Sequence, residues 1–387
     1  MNHPLRSALR GGAVALVALA LGASAAVPSI AQSNGPYVIG AVLSLSGSGA
    51  SLGQPSAEAL DLLQKSVNAA GGIKGRHVEV RILDDGGDST RAVSAMRQLA
   101  SDPQVVAIIG SSQSPTSLAI KPIANDAKVV DLSLGSSPQI SHPVTPYVFQ
   151  MPVPSGLRAG ALFNDAKKHG LTKIALFVSN NDYGQVSTTV ADDLAKANGF
   201  TIVDVESFDP LAPNVDSEVV RAKEKAAQAF FVFADDPGPA LVAKSMVNQA
   251  LTIPAYADST AATANFLRVA GSEANNWRVA STKLDVLNLL KPNDPMYGPI
   301  EEFAKIYPAG KSPNHFSGTA RDAFVLVIDA IKSAGSDRDK LRAAIENQKH
   351  FVGVTSVYTF SVTDHSGADG SGLVLVQGDN GKWKLAS

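Results

Sequence analysis

The sequence predicts an α/β protein built as doubly wound parallel sheets in two lobes, and three observations predict it. An apolar strand repeatedly ends in a short loop of Gly, Ser or Asp where a helix begins. This happens at residues 105–109, which run into Gly110-Ser111-Ser112-Gln113-Ser114-Pro115, and again at 129–132, which run into Gly135-Ser136-Ser137-Pro138. Strand and helix signals alternate from residue 37 onward, as a doubly wound sheet requires. The chain has 387 residues, 45% of them hydrophobic, which exceeds one ordinary core and suits two. In open parallel sheets the loops outside the carboxyl ends of the strands hold ligands, so small-molecule recognition is the expected role.

Taken in order, residues 38–43 are almost continuously apolar and read as a buried strand. Leu60, Leu63, Val67 and Ala70 then fall on one helical face, stopped by Gly71-Gly72. Val78, Val80 and Ile82 alternate with polar residues as the next strand, completing a βαβ unit. Asp88 is placed to cap the following helix, within an acidic turn of Asp84, Asp85 and Asp88 that reads as solvated. Ser114-Pro115 reads as N-cap and first helical residue. Five prolines between Pro138 and Pro154 resist helix and sheet interiors and mark a crossover between lobes. The pattern then restarts: strand 174–178, a helix opened by Tyr183-Gly184, strand 201–205, strand 230–233, the turn Asp235-Asp236-Pro237-Gly238 into a helix, and strand 253–257. A return crossover is expected near 281–285, followed by helices at about 314–334 and 337–347 and short strands near 357–360 and 373–376.

Residues 1–10 carry Arg6 and Arg10, residues 11–21 are apolar, and small residues continue to Ala31. That order is read as a secretory signal, its apolar part being shorter than a membrane span. Cleavage after Ala25 or Ala31 fits, the second leaving the polar Gln32-Ser33-Asn34-Gly35 at the new start. The expected location is the periplasm. The sequence has no cysteine, which excludes disulfides, thiol catalysis and a lipid on an N-terminal Cys. A net charge of −2 lacks the basic footprint of a nucleic-acid binder.

Several motifs carry less than they suggest. Gly47, Gly49 and Gly53 imitate a dinucleotide fingerprint, but the third Gly is one position late and the acids Asp84 and Asp85 lie too far on; a turn lining a cleft is the better reading. The acidic turn lacks the spaced ligands of a calcium loop. The histidines are scattered, without metal-ligand spacing, and no Gly-x-Ser-x-Gly elbow occurs. No cofactor, no metal and no catalytic residue is expected. Ser114 is read either as a plain cap or as part of an anion site at a helix start, and its company favours the second: Gly135, Ser136, Tyr183, Asp236 and Asp258 also follow expected strand ends. With Ser112, Gln113, Leu52 and Phe316 they form the candidate ligand-binding set.

The stretches Ile39-Gly40-Ala41-Val42-Leu43-Ser44-Leu45-Ser46-Gly47, Val67-Asn68-Ala69-Ala70-Gly71-Gly72-Ile73-Lys74-Gly75, Leu83-Asp84-Asp85 and Asn181-Asp182-Tyr183-Gly184 resemble the type I periplasmic solute-binding proteins of ABC transporters, of the branched-chain and hydrophobic amino-acid binding family. The resemblance covers essentially the whole mature chain. It implies two lobes joined by three crossovers, residues 36–148 plus 284–365 forming the first and 149–283 plus 366–387 the second, after a signal at 1–31. It implies a carboxylate clamp at Ser114 and Gly135-Ser136, a Tyr183 brought across the ligand by the second lobe, and Asp236 and Asp258 near an α-ammonium. It further implies a monomer that delivers a branched-chain or other hydrophobic amino acid to an inner-membrane permease. A non-amino carboxylic acid or an amide as ligand, and a ligand-sensing co-receptor as role, stay open as alternatives. The chain departs from the pattern with Arg321-Asp322-Ala323 where relatives often start a helix with Tyr-Asp-Ala, with Gly87 and Gln113 where some carry a disulfide, and with Ser259 or Thr260 as alternatives to Asp258 in the acidic register.

Overall fold

The computed structural model describes residues 35–386; the expected signal segment lies outside them. A five-stranded sheet is formed by β1 (Tyr37–Leu43), β2 (Val78–Asp84), β3 (Val105–Gly110), β4 (Val130–Ser133) and β5 (Val148–Gln150). Its order is β2-β1-β3-β4-β5, parallel throughout. β1 and β3 are buried along their whole length, as strands covered on both faces must be. Helices α1 (Ala50–Ala69), α2 (Ser89–Ser101) and α3 (Ser114–Asp126) provide crossovers. α1 stops where Gly71 and Gly72 take φ of 92° and 71°, values that L side chains rarely adopt.

After β5 the chain enters α4 (Ser155–Lys168) and a seven-stranded sheet. Its strands are β6 (Lys173–Ser179), β7 (Thr201–Phe208), β8 (Ala229–Phe233), β9 (Ala255–Ala257) and β10 (Trp277–Thr282). They are linked by α5 (Asp182–Asn198), α6 (Asp216–Glu224), α7 (Gly238–Asn248) and α8 (Ala264–Ala270). The order β7-β6-β8-β9-β10 repeats the topology of the first sheet. Residues 283–368 then return to the first lobe: α9 (Tyr297–Lys305), α10 (His315–Ala334), α11 (Arg338–Glu346) and the hairpin of β11 (Phe351–Val352) and β12 (Val357–Tyr358). The chain finally supplies β13 (Leu373–Asp379) and β14 (Lys382–Leu385) as antiparallel additions beside β10.

Two apolar cores flank each sheet. Ile39, Ala41 and Leu43 of β1 pack with Phe324 and Val327 of α10, while Val38 and Val42 on the opposite face meet Met96 and Leu99 of α2. Phe177 and Phe230 face Met246 and Trp277, whereas Leu176 and Phe231 face Phe163. Arg338 fastens the returning segment: its guanidinium donates to the carbonyls of Val105, Ala100 and Asp102 at 2.7 to 3.2 Å.

Two local readings are corrected. The N-cap of α3 is Gln113, and Ser114 is its first residue, because the Ser114 hydroxyl serves a neighbouring loop instead of the helix. The acidic turn is not solvated throughout. Asp88 caps α2 through the Arg91 N–H at 2.8 Å, but Asp85 is fully buried and accepts from the Ser44 hydroxyl at 2.7 Å and the Gly87 N–H at 2.8 Å.

Candidate functional site

In an order such as β2-β1-β3, consecutive connections leave to opposite faces, and a crevice opens between β1 and β3. This chain has two such points, the other between β6 and β8, and their loops meet. At the first, α1 begins against the end of β1. A Cβ on Gly53 would lie 2.0 Å from the Ser44 carbonyl oxygen, so glycine is what lets α1 start there and present Leu52. The loop after β3 is held by the Ser44 N–H donating to Ser112 Oγ at 3.2 Å and by the Ser117 hydroxyl donating to the Ser111 carbonyl at 3.0 Å. Ser114 Oγ accepts the N–H groups of Ser136 at 3.2 Å and Ser137 at 3.0 Å. It thereby ties the loops after β3 and β4 together, and its own hydrogen is still available to donate. Gly135 is committed to the scaffold, its carbonyl accepting from Gln150 Nε2 at 3.0 Å.

The second lobe repeats the device. A Cβ on Gly184 would lie 1.8 Å from the Ser179 carbonyl oxygen, and Asn181 caps α5 by accepting the Gly184 N–H at 3.2 Å. Asn181 also donates to Asp235 Oδ2 at 2.8 Å. Tyr183 donates its phenol to Asp258, which accepts the Thr260 N–H at 3.2 Å and hydroxyl at 2.8 Å as well. Burial pushes the Tyr183 phenol well above its ordinary range and the Asp258 charge adds to this, so the proton stays on the tyrosine. Arg158 reaches in from α4. It donates to the Val153 carbonyl at 3.0 Å and approaches Asp258 at 3.4 Å. It is 5% exposed, and its Nε has no partner among the described residues.

These residues surround a cavity with two adjoining compartments. One encloses about 360 Å3, mouth included, and is lined by Ser112, Gln113, Ser114, Tyr183, Asp235 and Thr260. The other encloses about 550 Å3 and carries Pro152, Val153, Ala280, Leu373 and His315. Leu52, Ser112, Leu134, Ser136, Arg158, Ser259 and Phe316 line both. Helices α3 and α5 meet across the cleft, and Ser114 and Tyr183 from their first turns line the same compartment. Helix starts carry free N–H groups and partial positive charge, so two of them beside a buried guanidinium suit an anion at the polar end. The apolar compartment suits a hydrocarbon body.

Of the residues expected from sequence, Leu52, Ser112, Gln113, Ser114, Ser136, Tyr183 and Phe316 line this cavity. Gly135, Asp236 and Asp258 line neither compartment: Asp258 lies behind Tyr183 and Arg158, and the neighbouring Asp235 takes the wall position instead of Asp236. Burial raises the carboxyls of both Asp235 and Asp236, partly offset at Asp235 by Asn181. Sequence reasoning missed Arg158, Asp235 and His315. Asp235 was one residue from a flagged position; Arg158 lies inside a helix of ordinary composition, and nothing in its spacing marks it. Among the described residues there is no cluster of side chains able to hold a metal ion, and no helix is long and apolar enough to cross a membrane.

The family model described as periplasmic binding protein matches residues 36–382. A Leu/Ile/Val-binding protein homolog of Brucella suis is 27% identical over 225 residues, 55% of this chain and 55% of that protein, so the chain spans about half the length of such curated relatives. Among solved structures, an extracellular ligand-binding receptor from Rhodopseudomonas palustris superposes with a TM-score of 0.85 at 23% identity, covering 91% of this chain and 99% of that one. A leucine-binding protein from Thermotoga maritima superposes with a TM-score of 0.79 at 20% identity, covering 90% and 97%. At these identities the superpositions establish the two-lobed fold.

Proposed function

The chain belongs to the periplasmic binding protein family, whose members bind solutes and do not transform them, and we propose that it is the exported capture component of an ABC importer, closing its two lobes on a small organic carboxylate with an apolar body. The bodies that close are residues 36–150 with 283–368, which carry the first sheet and its returning segment, and residues 151–282 with 369–386. Arg158 carries this reading: a guanidinium 5% exposed, with donors to spare, on the wall between a polar and an apolar compartment. Ser112, Ser114 and Ser136 would hold the carboxylate from the first lobe, and Arg158 and Tyr183 from the second. Leu52, Leu134 and Phe316 would pack on the hydrocarbon, consistent with relatives named as Leu/Ile/Val-binding.

An α-ammonium is not required by this arrangement, because the Asp258 carboxylate already accepts from Tyr183, Thr260 and Arg158. A hydrophobic amino acid remains the second reading, favoured by the Asp235 carboxyl on the wall of the polar compartment. A thermal-shift screen of hydrophobic amino acids, the same acids without the amine, and their amides tests both. Ligand at a hundred times its dissociation constant should stabilise the fold by about 2.7 kcal/mol. Stabilisation by amides but by no carboxylate would overturn the proposal.

A further inference from the structure

His315 lines the apolar compartment and not the polar one beside Ser114 and Tyr183. It is the first residue of α10 and is 5% exposed, yet neither ring nitrogen has a hydrogen-bond partner among the described residues. Its nearest anion is Asp285, whose Oδ2 lies 3.8 Å from Nδ1, within reach of a protonated imidazole's charge but beyond hydrogen-bond range. That carboxylate is already occupied by the Ser281 hydroxyl at 2.6 Å, the Thr282 hydroxyl at 2.9 Å and the His315 backbone N–H at 3.2 Å. Burial pushes the Asp285 carboxyl up, but the nearby imidazole and these hydroxyls more than offset it and hold it below the usual carboxylate range. The imidazole therefore faces an anion fixed by others. Its ring centroid is 3.8 Å from that of Phe316, which places it within the wall that would receive the ligand's hydrocarbon.

Buried polar groups left unpaired are costly and uncommon, and those in native structures usually serve a function. Resting on the carboxylate reading above, we infer that His315 is a specificity-determining residue that hydrogen-bonds a polar group at the end of the ligand remote from its carboxylate. The preferred class is an acid whose apolar body ends in a hydroxyl or carbonyl oxygen, with plain hydrocarbon acids bound less well. An imidazole N–H can donate to a hydroxyl or a carbonyl oxygen. A purely apolar compartment discriminates weakly against an added hydroxyl, whereas one with a buried hydrogen-bonding group rejects the analogue that lacks it.

The test is calorimetric titration of the mature protein with two matched pairs, phenylpropanoate with its para-hydroxy derivative and hexanoate with its omega-hydroxy derivative. The wild type should prefer the hydroxylated member of at least one pair by tenfold or more. His315→Leu should reduce that preference to less than threefold, and His315→Gln should restore part of it. Arg158→Gln should weaken both members of a pair alike. Equal or tighter wild-type binding of the plain acids overturns the inference, as does a preference that survives in His315→Leu. If His315→Leu does not fold, the wild-type ratio and the Gln variant decide. A merely structural His315 would lower the melting temperature of its variants and leave the ratio unmoved, which also overturns the inference. Failure of all four acids to bind the wild type would instead refute the carboxylate reading.

Discussion

Replacing Arg158 with Gln removes a cation from the wall shared by the two compartments. This side chain contributes a hydrogen bond to the Val153 carbonyl at 3.0 Å and an approach to Asp258 at 3.4 Å, and its Nε has no partner among the described residues. Those are modest assets against the cost of burying a guanidinium, and Asp258 retains its bonds from Tyr183 and Thr260. Stability should therefore change by no more than about 1 to 2 kcal/mol. Binding should suffer more. A hydrogen bond to a charged group contributes about 1.5 to 3 kcal/mol, and truncating one partner of a buried charge pair costs about 2 to 5 kcal/mol. A loss of about 2 to 4 kcal/mol, roughly 30- to 1000-fold in dissociation constant, is expected for a carboxylate ligand such as isocaproate. Calorimetric titration with parallel thermal melts reads both quantities. The companion variant Asp258→Asn removes the anion that competes for Arg158, so it should leave carboxylate affinity unchanged or improve it. Unchanged affinity in Arg158→Gln together with a collapse in Asp258→Asn would refute the assignment and return Asp258 to the role of ammonium holder.

Three further outcomes follow from the geometry and one from the sequence. Ser114→Ala deprives the Ser136 and Ser137 N–H groups of their acceptor and should weaken carboxylate binding by about 1 to 3 kcal/mol; calorimetry showing lost stability at constant affinity would leave Ser114 as a loop clamp only. Tyr183→Ala should spare weak binding but impair closure, so that the fall in radius of gyration on saturation with the tightest-binding acid of the screen, read by small-angle scattering, shrinks; an undiminished fall would remove Tyr183 from closure. Asp131 in β4 is fully buried with neither oxygen partnered among the described residues, and burial raises its carboxyl well above the ordinary value. Above about pH 4 the unfolded chain releases a proton that the folded state keeps, so stability falls with rising pH by up to about 1.4 kcal/mol per unit; Asp131→Asn should flatten that slope in urea titrations, and an identical slope would contradict the protonated state. Mass analysis of periplasmic protein should find the chain starting after Ala25 or Ala31, and an intact Met1 would rule out signal cleavage.

The order of strands and helices was legible because parallel strands covered on both faces must be nearly all apolar and their helices must alternate faces, as in β1, α1 and β3. The loops of the site were legible for the same reason, since strand ends in such sheets are where chains turn. Which side chain enters the cavity was harder to see. Asp235 and Asp236 are neighbours of identical chemistry, and only the path of the turn decides which faces inward. Arg158 takes its meaning from Asp258, a hundred residues away, and His315 from a cavity formed by residues 52 to 373. The short β5, inside the proline-rich stretch, and β10 with its polar Arg278, Ser281 and Thr282, gave weak periodic signals that pairing with neighbours overrides.

The central claim, that the cleft selects a carboxylate and does not depend on an amine, is tested most directly by titrating the mature wild-type protein with two pairs, leucine with isocaproate and phenylalanine with phenylpropanoate. The expected result is saturable binding in which, for the tighter pair, the acid without the amine binds at least as strongly as the amino acid. A tenfold or greater preference for the amino acid, or no binding by any of the four, would contradict it.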